Sequence, residues 1–308
     1  MRGIRITGWG IAVPDKVVTN DDMAVNLDTS DEWIVERTGI RERHIGGTTS
    51  GLAIEAAQAA LARAGRTPQE IDNLVLATTT PDGIVPGTAP TVQHGIGMRG
   101  GAFDINAACS GFVYGLITTA GLIAVGSGPV LLVGSETLSR ITDMDDRKIA
   151  IIVGDGAGAV VVEPVEGPGS LLSWNLNSDG ALKHLLKCEH GGTLFMDGKE
   201  VFRRAVRVVV ESAERAMADA GLGPEDISLM VPHQANLRII QAACQRLGIP
   251  EERTMVVIDR YGNTSSASIP LALNDAIEGG RVHGGDNLLL TGFGGGMTWA
   301  SAVFRWSE

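Results

Sequence analysis

Apolar positions along this chain follow two alternating rhythms. Ser50–Ala64 repeats them at helical spacing and stops at Gly65, which predicts an amphipathic helix. Val201–Ala220, closed by Gly221, and Asn236–Leu247, closed by Gly248, read the same way, as do Ala89–Ile96 and Ala267–Glu278. Short apolar runs at Ile71–Thr79, Val130–Val133, Leu171–Asn177, Ile227–Val231 and Thr254–Ile258 predict buried strands. Met1–Val13 reads as a strand entering a Pro14-Asp15 turn. Thr19–Asp22 and Asp28–Trp33 carry helix-capping residues, and the second short helix ends at Thr38-Gly39. Two hairpins are expected. Ile149–Val153 and Ala157–Val162 flank Gly154-Asp155-Gly156, and Asn287–Thr291 and Thr298–Phe304 flank Gly292–Gly296. Pro81–Gly87 is a loop, and Asp179–Gly192 is polar without a readable period.

The rhythm changes abruptly at one place. Phe103, Ile105 and Ala107 alternate with Asp104 and Asn106 as in a strand, and from Ser110 to Val125 Phe112, Leu116, Thr119 and Ile123 recur at helical spacing. Cys109 stands at this strand-to-helix corner, among the small residues Ala107, Ala108 and Gly111. Such a corner holds a nucleophile at a helix start, where the dipole favours a thiolate. A small buried core residue is the other reading of a free cysteine.

The chain also repeats itself. Ala64-Gly65 followed by Ile71–Val75 resembles Ala220-Gly221 followed by Ile227–Val231, at an offset of 156 positions. A helix, a strand carrying Asp104 or Asp259, a second helix and a Gly-rich hairpin follow in each half. That predicts a duplicated βα unit, residues 1–166 and 167–308, divided at Glu166–Gly169, with parallel-type sheets buried on both faces. The first half carries an insertion, Ser135–Lys148. If equivalent turns meet at a pseudo-twofold axis, they bring together Cys109, His233, Asn263 and the loop Gly292–Gly296. A thiol, an imidazole, an amide and backbone N–H groups fit acyl transfer through a thioester. Taken singly, His233 is a helix cap and Asn263 a turn residue.

Composition narrows the function classes. Three widely spaced cysteines, Cys109, Cys188 and Cys244, argue for free thiols in a reducing, cytoplasmic setting. The N-terminus lacks the apolar core of a signal peptide, and no apolar run reaches membrane-spanning length. A net charge of −11 argues against nucleic-acid binding. The ligand-type residues of His184–His190 lack the spacing of a structural metal site.

The motifs DTSDEWIVERTGIRER (Asp28–Arg43), AACSG (Ala107–Gly111), GDGAG (Gly154–Gly158), VPHQANLRII (Val231–Ile240), GNTSSA (Gly262–Ala267) and GFGGGMTW (Gly292–Trp299) span nearly the whole length. With them the chain resembles β-ketoacyl-acyl carrier protein synthase III, a thiolase-fold condensing enzyme. The loop GFGGG lacks the second cysteine of biosynthetic thiolases, and Asn263 replaces the second histidine of elongating synthases. The resemblance implies a five-layered αβαβα fold of two pseudo-symmetric halves. It also implies decarboxylative condensation of an acyl-CoA primer with malonyl-acyl carrier protein, without metal or bound cofactor.

Cys109, His233 and Asn263 would be the catalytic set, and the N–H groups of Cys109 and Gly295 the oxyanion site. CoA would be bound by Trp33, Arg37, Arg147, Gly198, Phe202, Ala235 and Asn236. Val85, with Phe293, would shape the acyl pocket. In members that favour acetyl primers a phenylalanine often stands where this chain has Val85, and Asp179–Asp197 is shorter here than in many relatives. Arg203, Arg207, Arg238 and Arg246 would dock the acidic carrier protein; a solvated face is the plainer reading of the arginines at 203, 204 and 207. A homodimer is implied, with strands like Phe103–Ala107 meeting across its interface. An acyltransferase acting without decarboxylation and a non-catalytic subunit of a condensing complex are the alternative functions.

Overall fold

A computed structural model of the chain describes residues 2–307. The first half runs β1 (Arg2–Ala12), β2 (Val17–Thr19), α1 (Asn20–Ala24), α2 (Asp31–Thr38), β3 (Glu42–His44), α3 (Thr49–Ala64) and β4 (Asn73–Ala77). It continues with α4 (Thr88–Gly95), β5 (Gly101–Ile105), α5 (Gly111–Ala124), β6 (Val130–Thr137), α6 (Arg147–Ala150) and β7 (Asp155–Glu166). The second half opens with β8 (Leu171–Ser178), β9 (Leu186–Lys187), β10 (Phe195–Met196), α7 (Gly198–Asp219) and β11 (Leu229–Pro232). It closes with α8 (Leu237–Leu247), α9 (Ile258–Tyr261), α10 (Ser268–Glu278), β12 (Asn287–Gly294) and β13 (Thr298–Arg305).

Two mixed sheets result, in the strand orders β1-β7-β6-β4-β5 and β11-β12-β13-β8. β4 is parallel to β5 and β6, while β7 is antiparallel to both β6 and β1. In the second sheet only β11 and β12 are parallel. The central helices α5 and α10 lie between the sheets, with α3 packed outside the first and α7 outside the second. This is the five-layered α/β thiolase-like arrangement.

Local sequence explains the layers. α3 turns a face of Leu52, Ala53, Ala56, Ala57 and Ala60 inward, is capped by the Thr48 hydroxyl and ends on left-handed Gly65. Its small residues let it lie directly on β1, where a Cβ on Gly8 would sit 2.2 Å from the Ala60 carbonyl oxygen. α5 has apolar residues on most of its circumference because sheets cover it on both sides. α7 is rich in β-branched valine, an indifferent helix former; packing against β13 and β8 carries it.

Several expectations need correction. Ile149–Val153 is not a strand: α6 and a turn occupy it, and Asp155 itself begins β7, whose partners are β1 and β6. Thr254–Ile258 forms only one bridge, Met230 to Thr254, before α9 begins. The insertion starts after Thr137, because β6 continues through Ser135–Thr137. Both sheets are mixed rather than purely parallel-type. The short pairs β2–β3 and β9–β10 give no sequence signal of their own; β9–β10 orders part of the segment that looked irregular. The strand expected from Met1 starts at Arg2 within the described residues; Met1 and Glu308 lie outside them.

The halves cross at the centre. A Cβ on Gly134, in β6, would sit 2.4 Å from the Ser266 carbonyl oxygen, and one on Gly292, in β12, would sit 3.3 Å from that of Cys109. Each half thus presents a turn to the other half's sheet. Hydrogen bonds tie the crossing: Ser266 Oγ donates to the Ala77 carbonyl (2.8 Å), and Thr298 Oγ1 to that of Ala107 (2.7 Å).

Candidate active site

Cys109 sits in a one-turn 3-10 helix, Ala108–Ser110, between β5 and α5. Ala108 has φ +48°, and Asn106 Oδ1 accepts from its N–H (3.1 Å). The second half builds the same corner: Ser265 has φ +47°, and Asn263 Oδ1 accepts from its N–H (2.9 Å). The structural counterpart of Asn263 is therefore Asn106, and that of Cys109 is Ser266. Non-glycine residues in the left-handed region are costly and are held here by packing from both halves.

Cys109 is partly exposed, at the junction of two cavities, of about 520 and 260 Å³. Burial of its sulfur pushes the thiol up to about 12; a hydrogen bond with Ser265 works against this, and the Glu136 charge adds to it. Burial thus works against the thiolate that the expected helix start would favour; Cys109 stands two residues before α5, in the 3-10 turn that leads into it.

His233 follows β11 and is 4 % exposed. Burial lowers its imidazole to about 3, so it is neutral at ordinary pH. Its Nδ1 lies 2.6 Å from Ser268 Oγ, which accepts from the Gln234 N–H (3.3 Å). The serine proton is free to donate to Nδ1, and in that arrangement the ring's own proton is on Nε2. Gln234 fixes this turn by donating to the Pro232 and Met255 carbonyls and accepting from the Val257 N–H. Phe293 meets the imidazole edge-on, with ring centroids 5.6 Å apart.

Asn263 is anchored by its backbone to the first half: its N–H donates to Ile152 O (2.8 Å) and its carbonyl accepts from Gly154 N (2.9 Å). Buried Arg43 holds that segment from behind, donating to the Ile151 carbonyl (2.7 Å). With Oδ1 engaged by Ser265, Asn263 presents its amide N–H₂ to the cavities, both of which it lines.

The larger cavity brings Cys109, His233 and Asn263 together with Trp33, Arg37, Gly198, Phe202, Ala235, Asn236, Arg238 and Phe293. Arg147 is absent from this lining, but its guanidinium lies 4.9 Å from the Trp33 ring centroid and pairs with Asp28; Arg37 lies 4.2 Å from the same ring. Asn236 Nδ2 donates to the Arg37 carbonyl (2.9 Å), joining the Trp33 helix to the His233 turn. The smaller cavity is walled by Leu138, Ile141, Ile149, Ile152, Val153 and Met196, with Gly295 at its head. Of the residues expected around the acyl group, Phe293 lies in the larger cavity and Val85 in neither. Val85 is 87 % exposed on its loop, beside Ile84. Arg203, Arg207, Arg238 and Arg246 are exposed on α7 and α8. Arg203 pairs with Glu200 and Arg207 with Glu211, while Arg238 lies over the Phe202 ring.

The sequence did not reveal Ser268, Ser265 or Glu136, which hold His233 and the Asn263 turn. Ser265 at least falls inside the GNTSSA motif. Among the described residues no cluster of three or more His, Cys, Asp or Glu side chains is placed to hold a metal, and no helix is long and apolar enough to cross a membrane.

Two family profiles match the chain. That described as 3-oxoacyl-[acyl-carrier-protein] synthase III covers residues 103–180, and that of its C-terminal part covers 217–306. A β-ketoacyl-[acyl-carrier-protein] synthase III of Roseiflexus castenholzii is 50 % identical, with 98 % of each chain covered. One from Listeria monocytogenes is 47 % identical over 98 % of this chain and 99 % of the relative. The crystal structure of 3-oxoacyl-[acyl-carrier-protein] synthase III from Aquifex aeolicus superposes with a TM-score of 0.97 at 44 % identity, covering 99 % of this chain and all of that one. The priming β-ketosynthase of the R1128 polyketide pathway superposes at 0.95 with 37 % identity, over 100 % and 97 % of the two chains. The motifs, the layered fold and these full-length likenesses agree: the chain belongs to the β-ketoacyl-[acyl-carrier-protein] synthase III family.

Proposed function

We propose that the chain condenses an acyl-CoA primer with malonyl-acyl carrier protein, giving a 3-oxoacyl-acyl carrier protein, CoA and carbon dioxide. The observation that carries this is a thiol, a neutral imidazole and a free amide N–H₂ lining one cavity. Cys109 exchanges its thiol proton for the acyl group, and CoA leaves as its thiol. Malonyl thioester then loses carbon dioxide. His233 Nε2–H and the Asn263 amide donate to its thioester oxygen as the enolate forms. The carbanion attacks the acyl-Cys109 carbonyl, whose oxygen is held by the N–H groups of Cys109 and Gly295. The Cys109 sulfur departs and regains a proton from solvent. Loss of carbon dioxide drives the reaction, and no cofactor enters the balance. Carbon dioxide release from malonyl-carrier protein, with intact mass of the acyl-enzyme, tests this. Acyl transfer to an alcohol or amine without carbon dioxide release would favour the acyltransferase alternative, and an absent acyl-enzyme the non-catalytic one.

In this reading CoA enters through the larger cavity, its base near Trp33, Arg37 and Arg147. Residues 1–166 and 167–308 act as two halves sharing one site in a cytoplasmic enzyme. The carrier protein docks on α7 and α8. A chain of net charge −11 needs a local basic patch to attract an acidic partner, and Arg203, Arg207, Arg238 and Arg246 supply it. Arg238 stands at the cavity mouth. Arg238→Glu is expected to raise KM for malonyl-carrier protein about tenfold, within the range set by one charge reversal in an interface. Acyl-CoA use should change little. Equal impairment with both substrates contradicts a docking role.

The acyl chain is assigned to the smaller cavity, whose branched apolar walls suit primers larger than acetyl. A dimer would complete it. In support, β5 is an open sheet edge bearing Phe103, and Asp104 on that edge accepts from Thr88 N and Ala89 N, which keeps the Ile84–Val85 loop beside it. Each methylene that fits an apolar pocket is worth about 0.8 kcal/mol, roughly fourfold in preference. Isobutyryl- and hexanoyl-CoA are therefore expected to acylate Cys109 at least as well as acetyl-CoA, and Val85→Phe to restore a short-chain preference. A monomer by sedimentation, or an acetyl preference untouched by Val85→Phe, defeats the assignment.

A further inference from the structure

Glu136 is fully buried near the end of β6. Its Oε2 accepts from Thr80 Oγ1 (2.6 Å), Thr79 Oγ1 (2.9 Å) and the Thr79 and Thr80 N–H groups (3.0 and 3.1 Å). Its Oε1 accepts from Ser265 Oγ (2.9 Å) and the Ser266 N–H (3.4 Å), and the Ser266 hydroxyl, 2.8 Å away, shares its one proton between this oxygen and the Ala77 carbonyl. None of the ion pairs among the described residues includes it. Arg140, which donates to the Thr80 carbonyl, pairs with Asp82 instead. Hydroxyl and backbone dipoles thus satisfy this buried carboxylate with no cation beside it.

The two ends of this network belong to different halves. Thr78–Thr80 follows β4, whereas Ser265 follows Asn263. The Ser265 N–H orients the Asn263 carboxamide, and Ser265 lines the smaller cavity with Cys109. Pseudo-symmetry reinforces the placement. Gly134 and Gly292 each abut the other half's turn, and two residues further stand Glu136 and Gly294. Gly294 lies against the Cys109 backbone, where a Cβ would come within 2.4 Å of its nitrogen. Glu136 reaches the turn of Asn263 in the corresponding way.

We infer that Glu136 is a positioning residue for condensation: its carboxylate clamps the Asn263–Ser265 turn to Thr78–Thr80, so that the Asn263 N–H₂ faces substrate, and it keeps a fixed negative charge behind Cys109. That charge opposes a resting thiolate, while the neutral acyl thioester escapes the repulsion. The other titratable groups around this pair are neutral His233, Lys187 and Cys188 on the smaller cavity wall, and Arg140 and Asp82 beyond Thr80.

The role rests on Cys109 as the acylated thiol. An acyl group is therefore first mapped on the wild-type protein, so that failure of that assignment shows separately. Peptide-resolved iodoacetamide alkylation of Cys109 is then followed against pH in wild type, Glu136→Gln and Glu136→Asp, beside malonyl-carrier protein decarboxylation. In Glu136→Gln the Cys109 profile is expected to move down by on the order of one pH unit as the like charge is removed. Decarboxylation should fall at least about tenfold through the loosened donor, and Glu136→Asp should restore part of both. A folded Glu136→Gln protein with an unmoved Cys109 profile overturns the role. If that variant does not fold, Thr80→Val, which removes the 2.6 Å donor, is measured in its place. Loss of that donor loosens the clamp, so decarboxylation should fall in this variant too, and unchanged decarboxylation overturns the role.

Discussion

Cys109→Ala abolishes primer transfer: after treatment with acyl-CoA, intact mass finds no acyl adduct, and condensation ceases. This is the largest effect expected of any single substitution, because no other thiol stands at the junction of the two cavities with Asn263 and Gly295. Cys244 is buried on the inner face of α8, where its sulfur contacts Thr254, and Cys188 is exposed. A simple alkylating reagent should therefore find Cys188 readily, whereas acyl-CoA should label Cys109, and peptide mapping separates the two. Burial holds the Cys109 thiol up at about 12. Below that value its thiolate fraction rises about tenfold per pH unit, so its alkylation rate should still be climbing at pH 10. A plateau near neutrality, or an acyl label on Cys188 or Cys244, contradicts the assignment.

His233→Ala and Asn263→Ala each lower decarboxylation by on the order of 10²–10³, the usual cost of one donor to a developing oxyanion. Both should keep measurable acylation of Cys109. The division follows from the protonation states. His233, lowered by burial to about 3, is neutral and offers an N–H, and Asn263 never titrates. Neither donor is lost by titration above about pH 4, so pH profiles of decarboxylation between 5 and 8 should lack a histidine step. Substituting Ser268 by Ala would free the tautomer and should lower decarboxylation less than His233→Ala. Equal loss of both half-reactions in the His233 and Asn263 variants, or a step near the ordinary histidine value, defeats the roles.

Long elements with one solvent face were readable because burial writes its period into them: α3, α7 and α8 fall within a few residues of their predicted bounds. Elements buried all round were read unevenly: α5, α10, β4, β6 and β11 were found, whereas Ile149–Val153 was mistaken for a strand. Ile149–Val153 is apolar because α6 and its turn pack against α2 and α9, and a short apolar run does not distinguish strand from helix. The Asp-Gly hairpin signal misled there, since Asp155 is itself in β7, its carboxylate accepting from Gly46 and Ser139. Thr254–Ile258 failed because only one bridge is available beside β11. At the site, the corner of Cys109 was legible as a change of rhythm. The supports were not: Ser268 is one serine in a run of small residues, and Glu136 is one acidic residue in an apolar strand. Their meaning arises from partners 35 and 130 positions away.

The crossing of the halves has a consequence for biosynthesis. Ser266 meets Ala77 across 189 positions, and Thr298 meets Ala107 across 191. During translation the first sheet can assemble long before these partners leave the ribosome, since domains fold in order of synthesis and distant contacts form last. β13, which lies between β12 and β8, is made after every other strand of the two sheets. The nascent chain therefore carries its cysteine without the serine, asparagine and glycine loops that clamp it. The site is therefore assembled only once β13 has been made, and a product terminated before it lacks the second half's turns around the thiol.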